Sequence, residues 1–260
     1  RLFAAVDLGT NNCRLLVAQP EADGFRVVDA YSRIVRLGEG VAETGVLSEA
    51  AMQRAISALR VCAAKIRRMR VRHARYVATE ACRRAANYRT FLEQVTAETG
   101  IQLEIIPAEE EARLALAGCV QLLDPAYEFA MVFDIGGGST ELIWARLSPG
   151  EVPEMAAWTS IPVGVVTLAE QFDGGEPDTH AYSEMVRFVE ERLAPFEEEH
   201  RASVAFAQGS AQMIGISGTI TTLAAVQLDL PRYDRSKVDG QSVSTAAVGE
   251  ISQRLAGMSY

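Results

Sequence analysis

The sequence predicts an α/β fold in which two similar domains follow one another, and three observations predict it. First, VDLGTNNCRLLVAQ (Val6–Gln19) and FDIGGGSTELIWAR (Phe133–Arg146) match in register. Asp7 aligns with Asp134, Gly9 with Gly136 and Ala18 with Ala145, an offset of 127 residues in a chain of 260. A repeat at that spacing reads as a duplicated unit that opens with a strand, a tight turn and a second strand. Second, a further β-rich segment follows each hairpin. Third, helix-period and strand-period segments then alternate, which calls for mixed sheets flanked by helices.

The elements follow in order. Phe25–Leu37 reads as a third strand, with Val27, Val28, Ile34 and Val35 as its β-branched part. Ser48 can cap a helix running to about Arg70, in which Met52, Ile56, Leu59 and Ile66 recur at helical spacing. Tyr76–Thr79 is a short strand, Tyr88–Thr99 a helix closed by Gly100, and Leu103–Ile106 a strand ended by Pro107. Glu109–Leu122 is an Ala- and Leu-rich helix. The second half gives strands at Phe129–Asp134, Glu141–Leu147 and Met155–Ile161, then helices near Val165–Phe172 and Thr179–His200, the latter expected to break at Pro195. A strand at Met213–Ser217 leads into a helix from Thr219. The boundary is expected between Gly118 and Pro125, dividing the chain into residues 1–120 and 121–260.

Composition narrows the chemistry. No run of eighteen apolar residues exists, and the start lacks the apolar core of a signal peptide, so the expected location is cytoplasmic, with no membrane partner. Four cysteines stand singly and the three histidines lie far apart, which argues against a zinc site and for packed, reduced thiols. A net charge of −9 argues against general nucleic-acid binding. Yet 11 of the 25 basic residues fall in the 36 positions from Arg54 to Arg89, with Glu80 the one acid among them. Such a run suits a polyanionic partner or a solvated helix face equally.

The two hairpins carry the chemistry. In each, an Asp ends a strand and small residues make the turn. Glycine tolerates positive φ and lets an anion approach the backbone, and successive N–H groups then form an anion-binding nest. Gly9, Thr10, Asn11, Asn12 and Cys13 form the first candidate phosphate loop, and Gly136, Gly137, Gly138, Ser139 and Thr140 the second. The hydroxyls of Thr10, Ser139 and Thr140 add donors. Asp7, Asp134 and Glu141 are candidate ligands for Mg²⁺ or another divalent cation. Glu109, Glu110 and Glu111 start a helix, where carboxylates also offset the macrodipole.

VDLGTNN with DIGGGSTE resembles the sugar kinase, heat-shock ATPase and actin superfamily. Within it, RLGEGV (Arg36–Val41), ATEACRRAAN (Ala78–Asn87), EEEARLALAG (Glu109–Gly118), IPVGVVTL (Ile161–Leu168) and GISGTITTLAA (Gly215–Ala225) are similar, in order and spacing, to the exopolyphosphatase and guanosine pentaphosphate phosphohydrolase family. The likeness spans essentially the whole chain. It implies two tandem ribonuclease H-like, actin-like domains with an interdomain cleft, lacking here the C-terminal return helix and further helical domain of longer relatives. It implies Glu111 as general base and Arg83 as the arginine at the terminal phosphate, with Arg84 the alternative if the register slips by one. The implied reaction is Mg²⁺-assisted attack of water on the terminal phosphoanhydride of inorganic polyphosphate or guanosine pentaphosphate. A homodimer is compatible with it. The competing readings are a superfamily kinase, which needs a nucleotide pocket around Gly215 and Gly218, a sensor that binds without turnover, and an actin-like filament.

Overall fold

The structure, a computed structural model, describes residues 1–22, 24–172 and 179–258. It divides into two compact units, Arg1–Ala108 and Glu109–Tyr260.

The first unit opens with strands β1 (Phe3–Leu8), β2 (Asn12–Glu21) and β3 (Gly24–Ile34). Helices α1 (Val41–Thr44) and α2 (Glu49–Arg68) follow, then β4 (His73–Ala78), α3 (Glu80–Arg84), α4 (Tyr88–Thr99) and β5 (Glu104–Ile105). The sheet order is β3-β2-β1-β4-β5. β1 pairs antiparallel with β2 and parallel with β4, so the sheet is mixed. Alternation decides its faces. Ala4, Val6 and Leu8 of β1 and Cys13, Leu15 and Val17 of β2 are buried in one core with Met52, Ala55, Ile56, Leu59, Cys62 and Ile66 of α2. The Ser48 hydroxyl caps α2 by accepting the Ala51 N–H at 3.2 Å, as its sequence position predicts. Gly100 closes α4 in the left-handed region.

The second unit contains α5 (Ala108–Cys119), which starts at the junction, and strands β6 (Phe129–Ile135), β7 (Thr140–Arg146) and β8 (Glu154–Ile161). Helices α6 (Val165–Gln171), α7 (Thr179–His200) and α8 (Ala202–Ala207), strand β9 (Ala211–Ile216), and helices α9 (Ser217–Gln227), α10 (Arg235–Val238) and α11 (Thr245–Ala256) complete it. Its sheet order, β8-β7-β6-β9, with β9 parallel to β6, repeats the β3-β2-β1-β4 order of the first unit. The α/β class with two mixed sheets flanked by helices is therefore the one the repeat predicts.

Two details differ from the sequence reading. The units separate before α5, earlier than residue 120, because Ala112, Leu116 and Cys119 of α5 share an apolar cluster with Val132, Ile143 and Ala145 of the second sheet. Burying that face fixes α5 to β6 and β7. Helix α7 also runs through Pro195 rather than ending there. The next residue, Phe196, lies in a cluster with Met131, Trp144, Ala202 and Ala211, and burial of a phenyl ring offsets the hydrogen bond that proline removes.

Candidate functional site

Each hairpin holds its Asp at the end of the central strand. In the second unit Asp134 stands opposite Glu141 across β6 and β7, and Glu141 stands opposite Ser160 across β7 and β8. Cross-strand partners share a face, so two carboxylates and a hydroxyl lie in one row. Glu141 is 2 % exposed, and its Oε1 accepts the Ser160 hydroxyl at 2.8 Å. Ser160 carries no motif of its own. Only the register of the third strand reveals it.

The turn that follows is tied back by the start of α6. Gly136 N–H donates to Ser139 O at 2.9 Å. The first N–H groups of α6 then take the turn's carbonyls: Val165 donates to Gly136 O at 3.0 Å and Val166 to Gly137 O at 2.8 Å. This close approach requires Gly164, since a Cβ there would lie 2.5 Å from Gly136 O and 2.5 Å from Gly137 C. With the carbonyls of Gly136 and Gly137 occupied, the turn is held in one orientation. Among the described residues, the N–H groups of Gly137, Gly138 and Ser139 make no hydrogen bond to the protein. A row of such donors in a glycine turn is the chemistry of an anion nest.

The first unit repeats this frame. Gly9 N–H donates to Asn12 O at 2.9 Å. Val35 and Arg36 donate to Asn11 O, and Gly38 donates to Thr10 O at 2.9 Å. A Cβ at Gly38 would lie 2.2 Å from Thr10 Cγ2. The N–H groups of Thr10 and Asn11 make no hydrogen bond among the described residues. The side chains differ, however. Asp7 stands opposite Arg14, not a second carboxylate, and Arg14 stands opposite Ser32.

Several expectations change in detail. Glycine does not serve these turns through left-handed φ. The left-handed glycines of the described residues lie elsewhere, at Gly40, Gly45 and Gly100 among others. What the turns need is the bare backbone at Gly38 and Gly164, where a neighbouring segment closes on them. The Cys13 side chain is not at the loop. It is fully buried, with Sγ 4.0 Å from Cys62 Sγ, because Cys13 falls on the core face of β2. That contact, together with burial, raises the Cys13 thiol above its ordinary value. The Thr140 hydroxyl donates to Val163 O at 2.7 Å, so it braces the loop instead of offering a donor. Thr10 and Ser139 are buried, at 6 % and 4 % exposure.

Arg83 sits on α3, which starts after Thr79 at the end of β4. Its Nε donates to Glu80 Oε2 at 3.1 Å, its Nη2 lies 3.0 Å from the same carboxylate oxygen as an ion pair, and its Nη1 donates to Ile106 O at 2.8 Å. A half-buried guanidinium held on two sides is oriented in advance. Arg84 is exposed one position on. Glu80, in sequence only the one acid of the basic run, gains a role through this geometry. In the second unit Glu111 lies half-buried in the first turn of α5, next to Ala112 of the apolar cluster. Glu109 is instead exposed and paired with Arg113 at 2.8 Å.

Among the described residues, no group of three or more His, Cys, Asp and Glu side chains is placed to hold a metal ion. The Asp134–Glu141 row supplies two carboxylates. Mg²⁺ commonly takes one or two carboxylates plus substrate phosphates, not an all-protein cage. The residues present fit that mode.

Residues 16–259 match the Ppx/GppA phosphatase family. The chain belongs to this family. Exopolyphosphatase 2 of Mycobacterium tuberculosis is 35% identical over 265 residues, which cover 98% of this chain and 80% of that protein. A guanosine-5'-triphosphate,3'-diphosphate pyrophosphatase of Aeromonas hydrophila is 30% identical over 257 residues, 96% of this chain and 50% of that one. Among solved structures, the Aquifex aeolicus PPX-GPPA enzyme superposes with a TM-score of 0.77 at 31% identity, covering 98% of this chain and 80% of its own. As a member of the Ppx/GppA phosphatases the chain is a hydrolase. No helix among the described residues is long and apolar enough to cross a membrane.

Proposed function

We propose that this Ppx/GppA protein hydrolyses the terminal phosphoanhydride of inorganic polyphosphate, and of guanosine pentaphosphate to guanosine tetraphosphate. The observation that carries the reading is the repeated turn. Each has an Asp ahead of it, its carbonyls tied back, and its N–H groups unspent. Two anion nests in one chain suit a substrate with successive phosphates.

Phosphoryl transfer is catalysed by positioning and charge stabilisation more than by covalent help. The Gly137, Gly138 and Ser139 N–H groups hold phosphate oxygens, and those of Thr10 and Asn11 do the same in the first unit. Glu111 orients a water for in-line attack and accepts its proton, a role usually worth about 10²–10⁴ in rate. Arg83, pre-set by Glu80 and Ile106 O, meets the negative charge that develops on the transferred group. Asp134 and Glu141, with Asp7 from the first hairpin, are the proposed holders of Mg²⁺. That ion would neutralise charge on the phosphate oxygens. The roles of Glu111 and Arg83 rest on the family motif, and the local geometry supports them.

The kinase alternative calls for a nucleotide pocket around Gly215 and Gly218, and the first of these has another use. Gly215 is a packing glycine, since a Cβ there would lie 2.6 Å from Phe133 Cζ and 2.8 Å from Ile220 Cγ2. The test is phosphate release with Mg²⁺ from long-chain polyphosphate, guanosine pentaphosphate and ATP, offered separately. Release from either of the first two is expected. Transfer from ATP to a sugar hydroxyl, or tight binding of all three without release, contradicts the proposal.

A further inference from the structure

The basic stretch from Arg54 to Arg89 separates into two populations. Five of its eleven cations are matched by acids of the same unit. Arg54 pairs with Glu39 at 2.6 Å, Arg60 with Glu98, Lys65 with Asp29 at 2.7 Å, Arg75 with Glu104 at 3.1 Å and Arg83 with Glu80 at 3.0 Å. Of the other six, Arg84 and Arg89 lie apart on α3 and α4, with Arg89 Nε donating to the Tyr88 hydroxyl, and four form a cluster. Arg67, Arg68, Arg70 and Arg72 are exposed where α2 turns into β4. Arg67 donates to the Thr99 carbonyl, and Arg68 reaches only Asp29, at 3.9 Å, an acid already held by Lys65. Arg70 and Arg72 form no ion pair among the described residues.

The helix macrodipole favours cations in the last turn of α2 and so accounts for Arg67 and Arg68. It does not account for Arg70 and Arg72, which lie past the helix end. Arg70 moreover has φ of +52°, and Val71 N–H closes the helix onto Ile66 O at 3.1 Å. Glycine fits that left-handed position without strain. The arginine there presents its charge at a backbone cost, as Arg36 and Arg201 also do.

The place of the cluster selects the ligand. In the parallel pair β1–β4, Phe3 is opposite His73 and Leu8 is opposite Ala78. The first turn follows Leu8, and the cluster precedes His73. The two therefore sit at opposite ends of the strands, roughly 17 Å apart at about 3.3 Å per residue. A compact phosphate ester cannot reach both, whereas a polymer can. Resting on the proposed hydrolysis, we infer that Arg67, Arg68, Arg70 and Arg72 anchor the distal part of a long polyphosphate chain, remote from the turn that holds its end. This assigns the protein to long chains in preference to guanosine pentaphosphate.

The experiment compares wild type with an Arg70→Gly/Arg72→Gln variant. Glycine relieves the left-handed strain, so the melting temperature is expected to hold or rise. Equilibrium binding of long-chain polyphosphate, measured without added divalent ion, is expected to weaken about tenfold, and its log–log salt slope to fall by roughly one to two. Binding of tripolyphosphate stays unchanged. In turnover, KM rises for the long chain alone and kcat is kept. Unchanged long-chain binding, or equal weakening for tripolyphosphate, overturns the anchor. So does equally tight binding of single-stranded nucleic acid, lost in the same variant, which would mark a general polyanion surface. Phosphate release from tripolyphosphate by wild type reports separately on the hydrolase reading, so the two proposals fail on different results.

Discussion

The two hairpins share a backbone and differ in charge. In the first, Asp7 faces Arg14 and the turn is Thr10–Asn11. In the second, Asp134 faces Glu141 and the turn is glycine. Both turns have their carbonyls drawn off by the segment after the third strand, through Gly38 in one and the α6 N-terminus beyond Gly164 in the other. Duplication has thus kept the frame that presents N–H groups and has divided the side-chain work. On the proposed reading the first unit supplies the cation, Arg83, for the phosphate charge, with Asp7 as a metal ligand beside Arg14. The second brings carboxylates, Asp134, Glu141 and Glu111, to metal and water.

The largest expected effect breaks the frame rather than the charges. Gly164→Ala puts a Cβ within 2.5 Å of backbone atoms in the second turn, and backbone cannot step aside. Phosphate release is expected to fall by more than about 10²-fold, since small misplacements in a positioned site cost that much. Gly38→Ala meets the Thr10 side chain instead, at 2.2 Å. Adding Thr10→Ser removes the offending methyl group. Activity measured in the double variant is therefore expected to recover, where no side-chain change rescues Gly164→Ala.

Glu141→Gln comes next. It removes one of the two row carboxylates while keeping the Ser160 contact. The Mg²⁺ concentration for half-maximal activity is expected to rise about tenfold, in line with removing support from a metal site. Arg14→Gln, at the equivalent position of the first unit, is expected to raise KM with little change in Mg²⁺ requirement. Identical phenotypes at the two positions would erase the contrast between the hairpins.

Glu80→Gln is expected to act more gently. It weakens the grip on Arg83 but leaves the Ile106 carbonyl in place, so kcat falls about threefold to tenfold at constant KM. Steady-state kinetics on Glu80→Gln and Glu80→Asp, which keeps the charge, checks this. The smallest effect lies far from both turns. The Lys65 ammonium beside Asp29 holds its carboxyl below the usual carboxylate value. A lowered folded pKa means the pair stabilises the fold above the unfolded value of about 3.9, and that stability is lost as pH falls through the folded value. Asp29→Asn is expected to cost about 1 kcal/mol at neutral pH and almost nothing in acid, read by urea unfolding at both.

Much of the fold is legible in the sequence. The in-register repeat announced two mixed sheets, and the Asp-turn pattern located both loops. Legibility failed where a residue's meaning depends on what packs against it. Cys13 reads as a loop residue, but strand alternation turns it into the core beside Cys62. Thr140 offers a hydroxyl in sequence and spends it on Val163 in space. Gly38 and Gly164 are ordinary glycines until the turn that approaches them is known. Helix α5 reads as the end of the first domain, yet its apolar face belongs to the second sheet. Ser160 and Glu80 needed a register and a rotamer.

The most direct measurement is single-turnover phosphate release from long-chain polyphosphate by Glu111→Gln. The amide keeps shape and hydrogen bonding but cannot accept a proton. A drop of about 10²–10⁴ in rate at nearly unchanged substrate affinity is the expected result. A rate within a few-fold of wild type would contradict Glu111 as the base that activates water.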